Sequence, residues 1–393
     1  MEELADFGLI VLVVSAGVSA ALVARRLSDW FPIPAPAIFL IVAAAAPIVV
    51  PDIRTVERVG VVALIVILFD GGMHIGWRRF RRAAVPIASL GVLGTVGTAG
   101  VIAVGAHYIV DFDWTTAWIL GAALAPTDPA VMFSILGDKE IGGRTGTILE
   151  GESGVNDPVG IALMIGMLEF ATSDEGSVWT IVWEFLVEMS IGLIVGLAGT
   201  ALLVVLMRRV RLPSESLYPL RTLAAAGLIY GLASVAHGSG FLAVFIAGLS
   251  LGDLDAPYKR QILRFHTSLA SLAEVVVFVG LGLTVDVTEL FDEGVWLDGL
   301  VLAILLVFVA RPLAIAPLLV PLRLRLGERL FIMWGGLRGA VPILLAAFGI
   351  LAEIEDARRI YEIVFVVVGF SVVVQGSSVP FVASRLGIRM RTA

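Results

Sequence analysis

Polar residues in this chain are confined to short breaks between long apolar runs, and the runs show no alternation of period two. An α-helix crosses a bilayer core with about 20 apolar residues, whereas a membrane barrel needs short alternating segments. The pattern therefore predicts an all-α polytopic membrane protein of about 13 helices. The expected crossings are 7–27, 34–50, 56–76, 84–109, 114–136, 145–170, 178–207, 218–236, 239–252, 262–284, 295–320, 328–352 and 359–384. The narrowest break lies between 218–236 and 239–252, where His237-Gly238 divides them.

Composition agrees with this pattern. Of 393 residues, 59% are hydrophobic and 16% charged, and the mean hydropathy is +0.99, far outside the soluble range. Cysteine is absent, which excludes disulfides and thiolate metal sites. The start, Met1-Glu2-Glu3-Leu4-Ala5-Asp6, is acidic where a secretory signal is basic, so the first run is expected to be a retained span.

Charge sets the orientation. With the N-terminus outside, the inward loops carry twenty Lys and Arg residues, among them Arg78, Arg79, Arg81 and Arg82, and the outward loops carry Arg54, Arg58, Arg358 and Arg359. That bias predicts an outside N-terminus and a cytoplasmic C-terminus in a cell (plasma) membrane, in a prokaryote. Residues 385–393 alone follow the last span, so a cytosolic regulatory domain is expected on another chain or on a segment not included in this one. The Arg78–Arg82 cluster reads as an inward anchor rather than a nucleic-acid patch. Gly91, Gly94 and Gly97 in span four, and Gly192, Gly196 and Gly199 in span seven, are expected to be packing faces.

Two spans are interrupted around a charge. In Pro126-Thr127-Asp128-Pro129 the prolines remove backbone donors, so span five should open at Thr127-Asp128. In span twelve, Trp334-Gly335-Gly336-Leu337-Arg338-Gly339-Ala340-Val341-Pro342 has the same character. The two occupy matching places if spans one to six and eight to thirteen are inverted repeats around a linking span seven. Paired broken helices of this kind mark the ion site of a secondary transporter.

Span six adds Glu152-Ser153-Gly154-Val155-Asn156-Asp157-Pro158. Ser153 and Asp157 are four apart and share a helix face; Glu152 and Asn156 form the neighbouring pair. A hydroxyl and a carboxylate on one stripe, faced by Thr127 and Asp128, suit a hard monovalent cation rather than a transition metal. Glu152 needs a counter-charge at this depth. Arg338 is its expected partner, in a structural role, and Arg311, before Pro312 in span eleven, is the alternative.

These three segments, including Gly336-Leu337-Arg338-Gly339-Ala340-Val341, resemble the signatures of NhaP-like monovalent cation/proton antiporters of the sodium/proton exchanger family. The resemblance runs through all the predicted spans. It implies a homodimer, with a dimerisation part of helices 1–3 and 7–10 (about 7–76 and 178–284) and a core bundle of helices 4–6 and 11–13 (about 84–170 and 295–384). It also implies a cation site of Asp157 with Thr127, Ser153 and Asp128, supported by Asn156. The Asn156-Asp157 pair resembles that of electroneutral members, implying one proton per cation. Asp70-Gly71-Gly72 resembles a potassium/proton branch, so Na⁺ and K⁺ both stay open as substrates. Asp70 lies near the inward end of span three, either in an ion funnel or as an ordinary helix-end acid near Arg78 and Arg79.

The functional expectation is secondary antiport serving pH homeostasis, with a proton and a cation competing for Asp157. Neutralised by either, the carboxylate is cheap to move through the apolar barrier; bare, it is costly. No cofactor, enzyme chemistry or nucleic-acid partner is expected; Ser, His and Asp are present but no nucleophile elbow is. The rival readings are a sodium-coupled symporter of an organic solute on a related fold, which needs a counter-charge for its substrate, and a cation channel lined by the broken helices.

Overall fold

The computed structural model describes residues 34–44, 52–128, 131–132, 136, 139–173, 178–292 and 294–392, with isolated positions between 8 and 23. The first predicted span and Pro129 lie largely or wholly outside the described residues.

Helices follow the predicted spans. They are α1 (Ala35–Ala44), α2 (Ile53–Ile75), the short α3 (Trp77–Arg82), α4 (Ala84–Ile109), α5 (Trp114–Leu124), α6 (Gly143–Thr172) and α7 (Val178–Arg209). After these come α8 (Leu217–Val235), α9 (Gly240–Gly252), α10 (Lys259–Leu283), the short α11 (Val287–Asp292), α12 (Val295–Leu319), α13 (Leu326–Trp334), α14 (Ala340–Leu351) and α15 (Ala357–Arg385). Seven of them are long and apolar enough to cross a membrane, and α1, α5, α9 and α14 are shorter apolar helices.

Local chemistry explains several boundaries. Asp113 caps α5, its Oδ1 accepting from the N–H groups of Thr115 at 2.7 Å and Thr116 at 3.2 Å. The break between α8 and α9 is real, and Ser239 caps the second helix by accepting from the Leu242 N–H. Span five breaks after Leu124, before Pro126, and is helical again at Val131 and Met132, and span twelve divides into α13 and α14 around residues 335–339.

Three of the long helices contain a π-helical turn: Ser89–Gly94 in α4, Leu306–Ala310 in α12 and Ser371–Gly376 in α15. Such turns insert an extra residue and re-aim the side chains around them. The first two fall in spans four and eleven, which correspond under the seven-span offset.

Helix α9 lies against α2, α7 and α8, with α10 on α2 and α1; α4 packs on α5, α5 on α6, and α15 on α12 and α14. The glycine faces serve close approach as expected: Gly94 and Gly97 meet Ile315 and Ala314, and Gly192 and Gly196 meet Ser239 and Ala243. A two-stranded antiparallel ribbon was not anticipated. Lys139–Ile141 pairs with Met390–Thr392, placing Glu140 opposite Arg391 and tying the C-terminal segment to the start of α6.

Candidate functional site

The two interruptions cross and complete one another. In an unbroken span five, the Asp128 N–H would donate to the Leu124 carbonyl four residues back. Instead it donates to the Leu337 carbonyl of span twelve at 2.8 Å. The freed Leu124 carbonyl accepts from Arg338 Nε at 3.0 Å. One unwound strand and one guanidinium thus replace the broken helical bond, and a cation lies at the C-terminal end of α5, where the helix dipole favours it.

Glycine makes the crossing possible at two points. A side chain at Gly339 would overlap the Asp128 carboxylate, and one at Gly336 would overlap the Arg311 guanidinium. Both places require backbone alone.

Helix α6 runs past the crossing with Gly151, Glu152, Ser153, Asn156 and Asp157 all buried. Thr127 is the polar hub between the two. Its hydroxyl lies 3.1 Å from that of Ser153 and accepts from Asn156 Nδ2 at 2.7 Å. Ser153 Oγ donates onward to the Leu149 carbonyl at 3.3 Å. Asn156 therefore belongs with Thr127 and Ser153, not with Glu152 as helix spacing alone suggested.

Asp157 is 5% exposed, and its Oδ1 accepts no hydrogen bond among the described residues. Asp128 is its electrostatic neighbour. Pro158 has no N–H, so the Gly154 carbonyl loses its helical donor one turn earlier. Carboxylates, hydroxyls and carbonyl oxygens are ligand types that suit hard cations rather than transition metals.

The expected Glu152–Arg338 pair is not formed. Glu152 instead takes Arg311 in a bidentate pair, with Nη1–Oε1 at 2.9 Å and Nη2–Oε2 at 3.2 Å. The physical reason is local. Arg338 stands in an unwound strand surrounded by orphaned carbonyls, and its donors go to Leu124 and Gly336. Arg311 follows the π turn of α12, and its remaining donors reach the Ile332 and Met333 carbonyls at the end of α13. Each arginine therefore closes the C-terminal end of one broken helix.

Asp70 lies elsewhere, on the face of α2 toward α10. It accepts from Thr267 Oγ1 at 3.2 Å, and His74 approaches its Oδ2 at 3.4 Å. Residues missed in the sequence are Ser371 and Gln375 of α15, which are 1% and 2% exposed and bonded to the unwound strand of span twelve. Their signal was visible: two polar side chains four apart in an otherwise apolar run.

Two broken helices that meet beside a buried carboxylate, in a bundle of long apolar helices, mark a secondary-transporter architecture. A family model described as the transmembrane sodium/hydrogen exchanger matches residues 9–385, and the chain belongs to that family. It is 36% identical over 390 residues to the K(+)/H(+) antiporter NhaP of Alkalimonas amylolytica, covering 97% of this chain and 67% of that protein. It is 34% identical over 330 residues to the K(+)/H(+) antiporter NhaP2 of Shewanella sp. (strain ANA-3), covering 83% of this chain and 57% of that one. The chain thus spans between 57% and 67% of the length of these two relatives. In fold it is similar to the sodium proton antiporter MjNhaP1 from Methanocaldococcus jannaschii, with a TM-score of 0.82 and 23% identity over 98% of this chain and 99% of that one.

Proposed function

We propose that this chain exchanges a monovalent cation for a proton by alternating access, electroneutrally, with the two competing for Asp157. The observation that carries the reading is the buried Asp157 carboxylate, one oxygen of which takes no protein donor, beside the Thr127–Ser153–Asn156 node. Asp157 is the carrier, Asp128, Thr127 and Ser153 complete the cation shell, and Asn156 orients Thr127. Glu152, Arg311 and Arg338 neutralise and cap the broken helices. The two relatives compared above are named K(+)/H(+) antiporters, and Asp70-Gly71-Gly72 resembles that branch, so K⁺ stands ahead of Na⁺.

In this reading, spans 4–6 and 11–13 (about 84–170 and 295–384) move as a core against spans 1–3 and 7–10 (about 7–76 and 178–284). A homodimer forms through the second group, whose α7 presents exposed Trp183, Ile194 and Leu202. The protein sits in the plasma membrane with its N-terminus outside and serves pH homeostasis. Glu152 already claims Arg311, and Arg338 Nε and Nη1 go to backbone carbonyls; with both relatives compared above named antiporters, exchange is favoured over the symporter reading.

Proton release from sealed proteoliposomes on adding K⁺, Na⁺ or Li⁺ separately, over a pH series, tests the proposal. Release is expected with K⁺ and absent in Asp157→Asn. Full cation-dependent release in that variant rejects Asp157 as the carrier. The chain has no cysteine, so single cysteines placed in the loops and labelled from each side test the orientation.

A further inference from the structure

Span twelve is held open by two side chains from span thirteen. In a continuous helix the Arg338 N–H would donate to the Trp334 carbonyl, four residues back. Those two groups do not meet. The Arg338 N–H donates to Ser371 Oγ at 2.8 Å, Ser371 Oγ donates to Gln375 Oε1 at 3.1 Å, and Gln375 Nε2 donates to the Trp334 carbonyl. The Ser371–Gln375 pair is thus spliced into the place of one missing helical hydrogen bond. The Trp334 indole adds a second tie, donating to Ser378 Oγ at 2.9 Å.

Both side chains are buried and stand at the two ends of the π turn Ser371–Gly376. Burying a hydroxyl and an amide among apolar residues is costly unless each is hydrogen-bonded, and here the bonds go to the lips of the gap. Between those lips lies Leu337, whose carbonyl holds the Asp128 N–H, followed by Gly339, against which the Asp128 carboxylate packs. The width of the gap therefore sets where Asp128 stands.

We propose that Ser371 and Gln375 are positioning residues for the transported cation. They occupy the donor and the acceptor that would otherwise rejoin α13 to α14, and so fix Asp128 beside Asp157. This inference rests on the reading of Asp157 as the carrier. Without the splice, the Arg338 N–H and the Trp334 carbonyl are left to find each other, the gap narrows and Asp128 is displaced. The cation then loses a ligand while the proton, which needs Asp157 alone, does not.

The test is K⁺-dependent proton flux in proteoliposomes for Ser371→Ala and Gln375→Met, with Asp157→Asn alongside. Each of the two splice variants is expected to raise the half-saturating K⁺ concentration about tenfold. Because a proton competes for the same carboxylate, the acid limb of activity at fixed K⁺ should move about one pH unit toward alkaline. Raising K⁺ tenfold should restore the parent profile, and a merely structural defect would lower the maximal rate without moving either quantity. An unchanged half-saturation and pH profile in the splice variants, with Asp157→Asn inactive, overturns the inference alone. Flux persisting in Asp157→Asn overturns the carrier reading instead. Should one splice variant fail to purify as a monodisperse species, the other decides.

Discussion

Glu152 and Arg311 meet as a two-pronged ion pair, both side chains only 2% exposed. The same guanidinium donates to the Ile332 and Met333 carbonyls. One pair therefore ties α6, α12 and the end of α13 together behind the crossing.

Breaking that pair from one side strands a buried charge. Glu152→Gln is expected to lower stability by about 3–5 kcal/mol. Arg311→Lys should also destabilise, since a lysine cannot make the two-pronged contact and reach two carbonyls at once. Thermal unfolding of the purified protein in detergent measures both. A Glu152→Gln melting temperature equal to that of the parent would contradict the assignment.

Gly339→Ala drives a methyl group into the Asp128 carboxylate, whereas Gly71 faces open space. The first substitution is expected to abolish or strongly depress cation-dependent proton flux, and Gly71→Ala to leave it intact. Parallel flux assays with equal reconstituted protein compare them.

Thr127→Ala removes the acceptor of Asn156 Nδ2 and the partner of Ser153. Leaving a buried amide donor unmet costs about 1–3 kcal/mol. The expectation is a half-saturating cation concentration raised about tenfold or more, with the protein still folded. Thr127→Ser, which keeps the hydroxyl, should lie closer to the parent.

If cation and proton share Asp157, acid must inhibit competitively. On the acid side, the half-saturating cation concentration is expected to rise about tenfold per pH unit with an unchanged maximal rate. A maximal rate that falls with acid at saturating cation would point to separate sites.

Outside the membrane, Asp113 makes a smaller prediction. Partial burial pushes its carboxyl up, but the hydrogen bonds from Thr116 and Thr115 outweigh this and leave it below the usual carboxylate range. Its cap therefore stabilises the protein above the ordinary carboxylate pKa and fades as pH falls through the lowered value. Asp113→Ala should cost about 1 kcal/mol at neutral pH. The gap to the parent should close in acid, as read by melting curves at pH 7 and pH 3.

What the sequence determined is the architecture and the chemical inventory. Long unbroken apolar runs have only one low-energy solution in a bilayer, the helix, so the helices among the described residues were legible in the sequence. Prolines and glycines around Asp128 and Arg338 marked the broken helices, because each removes a donor or a side chain from the ladder. Partnership was decided by tertiary structure. Helix spacing placed Asn156 beside Glu152, but the approach of span five drew it to Thr127. Depth alone could not choose between Arg338 and Arg311 for Glu152. The choice fell to the unwound carbonyls, whose demand for donors engages the Arg338 guanidinium and leaves Arg311 to the acid. Ser371 and Gln375 were visible only as polar residues in a greasy span, for the groups they satisfy become orphans once span twelve has opened.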